Sequence, residues 1–100
     1  MKIEYKVSEK SVNVRLIGEL DTPATEEIQN EVEKILKHAD KEITIDCSRL
    51  EYIASSGLRQ LITIYKNCKN EGGHMTLTNV TSDVMEVLDD TTFSRVFDIV

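Results

Sequence analysis

Hydrophobic and polar residues alternate twice in succession at the start of the chain. Ile3, Tyr5 and Val7 form the first run and Val12, Val14 and Leu16 the second, separated by the polar break Ser8-Glu9-Lys10. A period of two is that of a half-buried strand, and so short a break joins antiparallel neighbours; the pattern predicts a β-hairpin ending at Gly18. Glu19-Leu20-Asp21-Thr22-Pro23 stops the second strand, and the period then changes. Ile28, Val32, Ile35, Leu36 and Ala39 recur at helical spacing. This predicts one helix over 23–38, with the Thr22 hydroxyl as N-cap and Pro23 at the first helical position, where its missing N–H costs nothing. Glutamates near its start and Lys34, Lys37 and His38 near its end complement the helix dipole.

Ile43-Thr44-Ile45-Asp46-Cys47 predicts a central strand. Residues 48–54 then carry the chain onward, with Leu50 and Ile53 pinned into the core. Leu58, Leu61, Ile62, Tyr65 and Cys68 restore the helical period over 58–70, and Gly72-Gly73 supplies a left-handed stop. Met75 and Leu77, with Asn79 at the limit, alternate in a further strand. Thr81 or Ser82 caps a short helix that buries Val84, Val87 and Leu88, and the apolar tail Phe93 to Val100 docks on the core. This order predicts an α/β fold, a small mixed sheet of four to five strands covered by helices, antiparallel in the hairpin and parallel across the crossovers. Sites in such sheets collect at the C-terminal ends of strands. Glu19-Leu20-Asp21-Thr22 and Ile53-Ala54-Ser55-Ser56-Gly57 both fall there, at one shared edge.

One hundred residues, 40% apolar and 30% charged, make a single domain spanning 1–100 with one core. No apolar run approaches the roughly 20 residues that span a bilayer. Met1-Lys2-Ile3-Glu4 opens no signal-peptide core, so a cytoplasmic location is expected. The net charge of −6 denies a nucleic acid the basic face it needs, and suits a basic protein partner as well as plain solubility. Cys47 and Cys68 stand at no metal or redox spacing and read as core thiols. His38 and His74 have no ligand cluster around them, so no metal or cofactor is expected.

The chemistry concentrates at the strand-to-helix junction Tyr52-Ile53-Ala54-Ser55-Ser56-Gly57-Leu58-Arg59. Hydroxyls beside a helix N-terminus hold a phosphate, present a nucleophile or cap the helix. A nucleophile elbow needs Gly-x-Ser-x-Gly, but residue 53 is Ile. His74, the sole downstream histidine, opens a strand. A small serine hydrolase is therefore the least favoured function, and no catalytic residue is assigned; a phosphate-binding loop of nucleotide enzymes is absent as well. Gly57 serves either the close approach of a partner backbone or the turn. Arg59 serves a phosphate on residue 55, a partner carboxylate or the solvent. Glu19 and Asp21 serve the turn and cap or a partner.

The sequence resembles the STAS domain. The resemblance rests on Gly18-Glu19-Leu20-Asp21 before a helix, the Tyr52 to Arg59 junction, Gly72-Gly73 before the next strand, and Thr92-Phe93-Ser94-Arg95-Val96-Phe97. It covers essentially the whole chain. More narrowly, the sequence is similar to the stand-alone bacterial anti-sigma factor antagonists. That likeness implies a non-catalytic partner switch. The unphosphorylated form binds an anti-sigma factor with serine kinase activity, phosphorylation by that kinase ends the interaction, and a PP2C-type phosphatase restores it. The family motif is Asp-Ser-(Ser/Thr)-Gly-Leu, phosphorylated on the serine after the aspartate. On this sequence that serine is Ser55, with Ala54 in place of the aspartate. The implied partner surface is Glu19, Asp21 and Thr22 with the run Ile53-Ala54-Ser55-Ser56-Gly57-Leu58-Arg59. STAS-like domains also serve as non-catalytic subunits of transport systems or as scaffold modules, an alternative that needs no phosphorylation.

Overall fold

The computed structural model describes residues 1–100. The hairpin forms as its alternation requires, β1 over Lys2–Val7 and β2 over Ser11–Leu20. Two short helices follow, α1 over Thr22–Glu27 and α2 over Gln29–Leu36, then β3 over Glu42–Ile53, α3 over Ser55–Glu71 and β4 over His74–Thr78. Helix α4 over Ser82–Asp90, a 3-10 turn over Phe93–Arg95 and a two-residue strand β5, Asp98–Ile99, complete the chain. The five strands pair in sequence order, antiparallel between β1 and β2 and parallel thereafter. The mixed sheet and its helical cover match the expected α/β class.

All three crossovers advance the same way along the sheet, and right-handed connections therefore put every helix on one face. Register confirms this. Val12, Ile43 and Met75 are neighbours in one row and Val14, Ile45 and Leu77 in the next, all buried. Between them, Asn13, Thr44 and Thr76, and Arg15, Asp46 and Thr78, form polar rows on the open face. Asp46 accepts from the Ser48 amide (3.0 Å), which with Asn79 and Arg15 holds its carboxyl down to about 2. Cys47 and Cys68 are free thiols in the core; burial pushes Cys47 up to about 12 and also raises Cys68, so both are poor nucleophiles.

The structure corrects four boundaries. The single helix expected over 23–38 is broken at Ile28, whose backbone (φ −97°, ψ 3°) leaves the helical region. Its N-cap is Asp21 and not Thr22: the Asp21 carboxylate accepts from the Ala24 amide at 3.0 Å. Strand β3 continues past Cys47 to Ile53, because irregularities in its pairing with β2 let Leu50 and Ile53 both face the core three residues apart. Helix α3 starts at Ser55, three residues earlier than the apolar period indicates, and its N-cap position is Ala54. Gly72 stops α3 in the left-handed region (φ +85°), as expected. Thr81 caps α4, and Phe97 docks the tail, edge-on to Tyr65.

Candidate functional site

The two segments singled out from sequence do meet at one edge, the C-terminal ends of β2 and β3. Glu19 pairs with Tyr52 and Leu20 with Ile53, and the Ala54 amide donates to the Leu20 carbonyl at 2.9 Å. Gly18, at φ +106°, lets β2 depart from regular pairing just below this point. Glu51 and Tyr52 consequently both turn outward while Ile53 turns in. Tyr52, absent from the sequence-derived surface, is 47% exposed at the middle of the edge.

Across the edge, the β2–α1 connection is tied to the start of α3. Because Asp21 does the capping, the Thr22 hydroxyl is left to hydrogen-bond the Ser56 hydroxyl (3.2 Å). The Thr25 hydroxyl donates to the Thr22 carbonyl (2.6 Å), fixing that turn. Ser55 differs from its neighbour: it is exposed at the first helical position, and no hydrogen bond within the protein ties its hydroxyl. Neither serine caps α3. The Ala54 carbonyl accepts the first helical bond from Leu58 (3.0 Å), and its methyl side chain leaves the leading amides uncapped.

Three of the expected partner-facing residues lie inside. Ile53 and Leu58 are each 1% exposed and Gly57 is buried, so they shape the edge from below and offer a partner no surface. The structure gives Gly57 a packing role inside the domain. A Cβ there would stand 2.8 Å from Leu20 Cγ and 2.9 Å from Ile53 Cγ1, so its lack of a side chain lets α3 descend onto the strand ends. Glu19, Thr22, Ser55 and Arg59 are exposed, while Asp21, Ala54 and Ser56 are partly buried. Arg59 lies one turn along α3 from Ser55, on the same side. Gln60, which the sequence did not single out, donates to the Thr25 carbonyl (2.8 Å) and to the Gln29 side chain (3.0 Å). A lone polar residue in a helix gives no signal of such a bond 35 positions away.

His74 opens β4, at the opposite end of the parallel sheet from Ser55, and pairs with Asp98 at 2.8 Å. It cannot serve either serine as a base. What the edge offers is an exposed surface that carries the unbonded Ser55 hydroxyl. A profile of the STAS domain matches residues 2–100. The chain belongs to the STAS domain family. It is similar to the anti-sigma F factor antagonist of Paenibacillus polymyxa, 28% identical over 90 residues covering 89% of this chain and 77% of that protein. It is also similar to the anti-sigma-B factor antagonist of Bacillus subtilis, 24% identical over 101 residues covering 99% and 90%. In fold, it superposes on the Bacillus cell fate determinant SpoIIAA in its phosphorylated form with a TM-score of 0.73 at 21% identity, covering 99% of this chain and 91% of that one.

The uncapped start of α3 gives a direct expectation. Ala54 already has the extended backbone of an N-cap (φ −89°, ψ 170°) and lacks only an acceptor. Ala54→Asp should therefore stabilise the unmodified protein by about 1 kcal/mol, read as a higher urea midpoint at unchanged slope. An unchanged midpoint would mean that the leading amides of α3 already have adequate partners.

Proposed function

We propose that this STAS domain is an anti-sigma factor antagonist whose binding is controlled by phosphorylation of Ser55. In the unmodified state the edge made by Glu19, Thr22, Tyr52, Ala54, Ser55, Ser56 and Arg59 binds an anti-sigma factor with serine kinase activity, which then releases its sigma factor. The same kinase phosphorylates Ser55 and ends the interaction; a PP2C-type phosphatase reverses it. The observation that carries this reading is the contrast between the two serines. Ser55 is exposed with an unbonded hydroxyl at the start of α3, whereas the Ser56 hydroxyl is engaged by Thr22.

Chemistry supports both halves of the switch. A phosphoryl group adds about 1.5 to 2 negative charges, and next to the leading amides of a helix such charge is tolerated by the fold. A partner packed on the edge meets it differently, because it must desolvate a dianion where it had met a hydroxyl. Ala54 takes the place of the carboxylate that the family motif puts directly before this serine, which removes one negative charge from beside the phosphate. Incubation with the anti-sigma kinase of the same organism and ATP, followed by mass spectrometry, should find one phosphate on Ser55 and none on Ser55→Ala. Phosphate on Ser56 or Thr22 in the wild type, or none at all, would overturn the assignment.

A further inference from the structure

The break between α1 and α2 is bridged by a side chain from outside both helices. In an uninterrupted helix the Thr25 carbonyl would accept from the Gln29 amide, four residues on. Here the ladder is interrupted at Ile28, and the Thr25 carbonyl accepts from Gln60 Nε2 at 2.8 Å. The second hydrogen of the same amide group goes to Gln29 Oε1 at 3.0 Å, on the far side of the break. One side chain of α3 thus holds the end of α1 and the beginning of α2.

Gln60 does this under unfavourable conditions for itself. Its Oε1 is buried without a hydrogen-bond partner, and an unpartnered carbonyl out of water is destabilising. The side chain also borders an apolar interior gap lined by Leu20, Ile28 and Leu61, where a hydrocarbon would sit without that penalty. Stability alone therefore does not account for a glutamine at this position. Its place does. Gln60 is one turn after Ser56, and the helix it holds begins with Thr22, whose hydroxyl meets that of Ser56.

We propose that Gln60 is a positioning residue for the partner-binding edge, holding α1 in its broken arrangement so that Thr22 stands opposite Ser56. This rests on the partner-binding role given to that edge above. With Gln60 in place, α1 is a separate short helix docked to α3. Without it, the Thr25 carbonyl is free to bond the Gln29 amide, α1 and α2 run on as one helix, and Thr22 is drawn away from Ser56.

Gln60→Met keeps the length of the side chain and removes its donor; Gln60→Leu makes the same change with another shape. In either variant, NMR should show Ile28 carbon shifts moving to helical values, amide exchange at Gln29 slowing about tenfold, and displaced Thr22 and Ser56 amide resonances. The denaturation midpoint should not fall, yet affinity for the anti-sigma kinase that labels Ser55 should drop about tenfold, since the interface is misplaced and not unfolded. Gln29→Ala leaves the bond to the Thr25 carbonyl and should leave the break intact. Non-helical Ile28 shifts retained in Gln60→Met, or a break that closes as fully in Gln29→Ala, would overturn the proposal. So would closure of the break with undiminished affinity. If the wild type itself fails to bind the kinase, the partner assignment fails, and the Thr22 and Ser56 resonances of the free protein still decide whether Gln60 positions them.

Discussion

Replacing Ser55 with aspartate should weaken binding to the anti-sigma kinase by about 100-fold while leaving the fold at least as stable as before. The two effects separate because the residue is exposed at the first position of α3. For the isolated domain, a carboxylate there faces uncapped amides and the positive end of a 17-residue helix, a favourable location worth a few tenths of a kcal/mol up to about 1 kcal/mol. In the proposed complex, the same carboxylate would be enclosed where the partner meets a hydroxyl. Leaving a charge unpaired in such a place costs about 3 kcal/mol, which is two decades in Kd. Ser55→Ala should bind like the wild type. An aspartate variant that binds normally, measured beside a wild-type control by calorimetric titration, would remove the electrostatic basis of the switch. One that binds poorly because it is unfolded would show this in the denaturation midpoint.

A second large effect is expected far from the edge, at Gly73. Its backbone passes so close to the α2–β3 connection that an added Cβ would overlap the carbonyl oxygens of Ala39 and Lys41. Both obstacles are main chain, so no side-chain rearrangement relieves the overlap. The same carbonyl of Lys41 accepts the His74 amide at 3.2 Å, which leads β4 into its pairing with β3. Gly73→Ala should therefore destabilise the protein by about 3 kcal/mol, seen in urea unfolding. Gly72→Ala tests the alternative that any change at this turn is harmful. Nothing lies within 4 Å of a Cβ at Gly72, and only its left-handed backbone (φ +85°) opposes a side chain, so its cost should be about 1 kcal/mol. Equal losses at the two glycines would contradict the overlap as the cause.

The fold was legible wherever a local period decided the outcome. Val12, Val14 and Leu16, then Ile43 and Ile45, then Met75 and Leu77 alternate because one face of each strand is buried, and they mark three neighbouring strands without reference to anything distant. It was less legible where a distant residue intervened. At the helix break at Ile28 the Thr25 carbonyl accepts from Gln60, 35 positions away, and no propensity of residues 23–38 announces it. The extension of β3 was hidden because its pairing irregularities replace a period of two with the spacing Cys47, Leu50, Ile53. Ile64 is a plainer case: it continues the helical period of Leu58 and Leu61 and is 3% exposed, so the pattern contained it.

At the site, sequence found the edge and the wrong depth for part of it. Strand-end position and hydroxyl chemistry identify Glu19, Thr22, Ser55 and Ser56. They do not reveal that Ile53, Gly57 and Leu58 face inward, because that follows from how α3 lands on Leu20 and Ile53. Tyr52 escaped for the matching reason. An aromatic two residues after the buried Leu50 should point inward, and only the irregularity in β3 turns it out.

One phosphate on Ser55 should dissociate the partner without disturbing the domain. Protein carrying phosphoserine at 55 in full stoichiometry should be titrated into the anti-sigma kinase beside unmodified protein, with the folded state of both checked by NMR. The account predicts near-identical spectra away from residues 54–59 and affinity lower by at least about 100-fold for the modified form. Equal affinity of the two forms would contradict it.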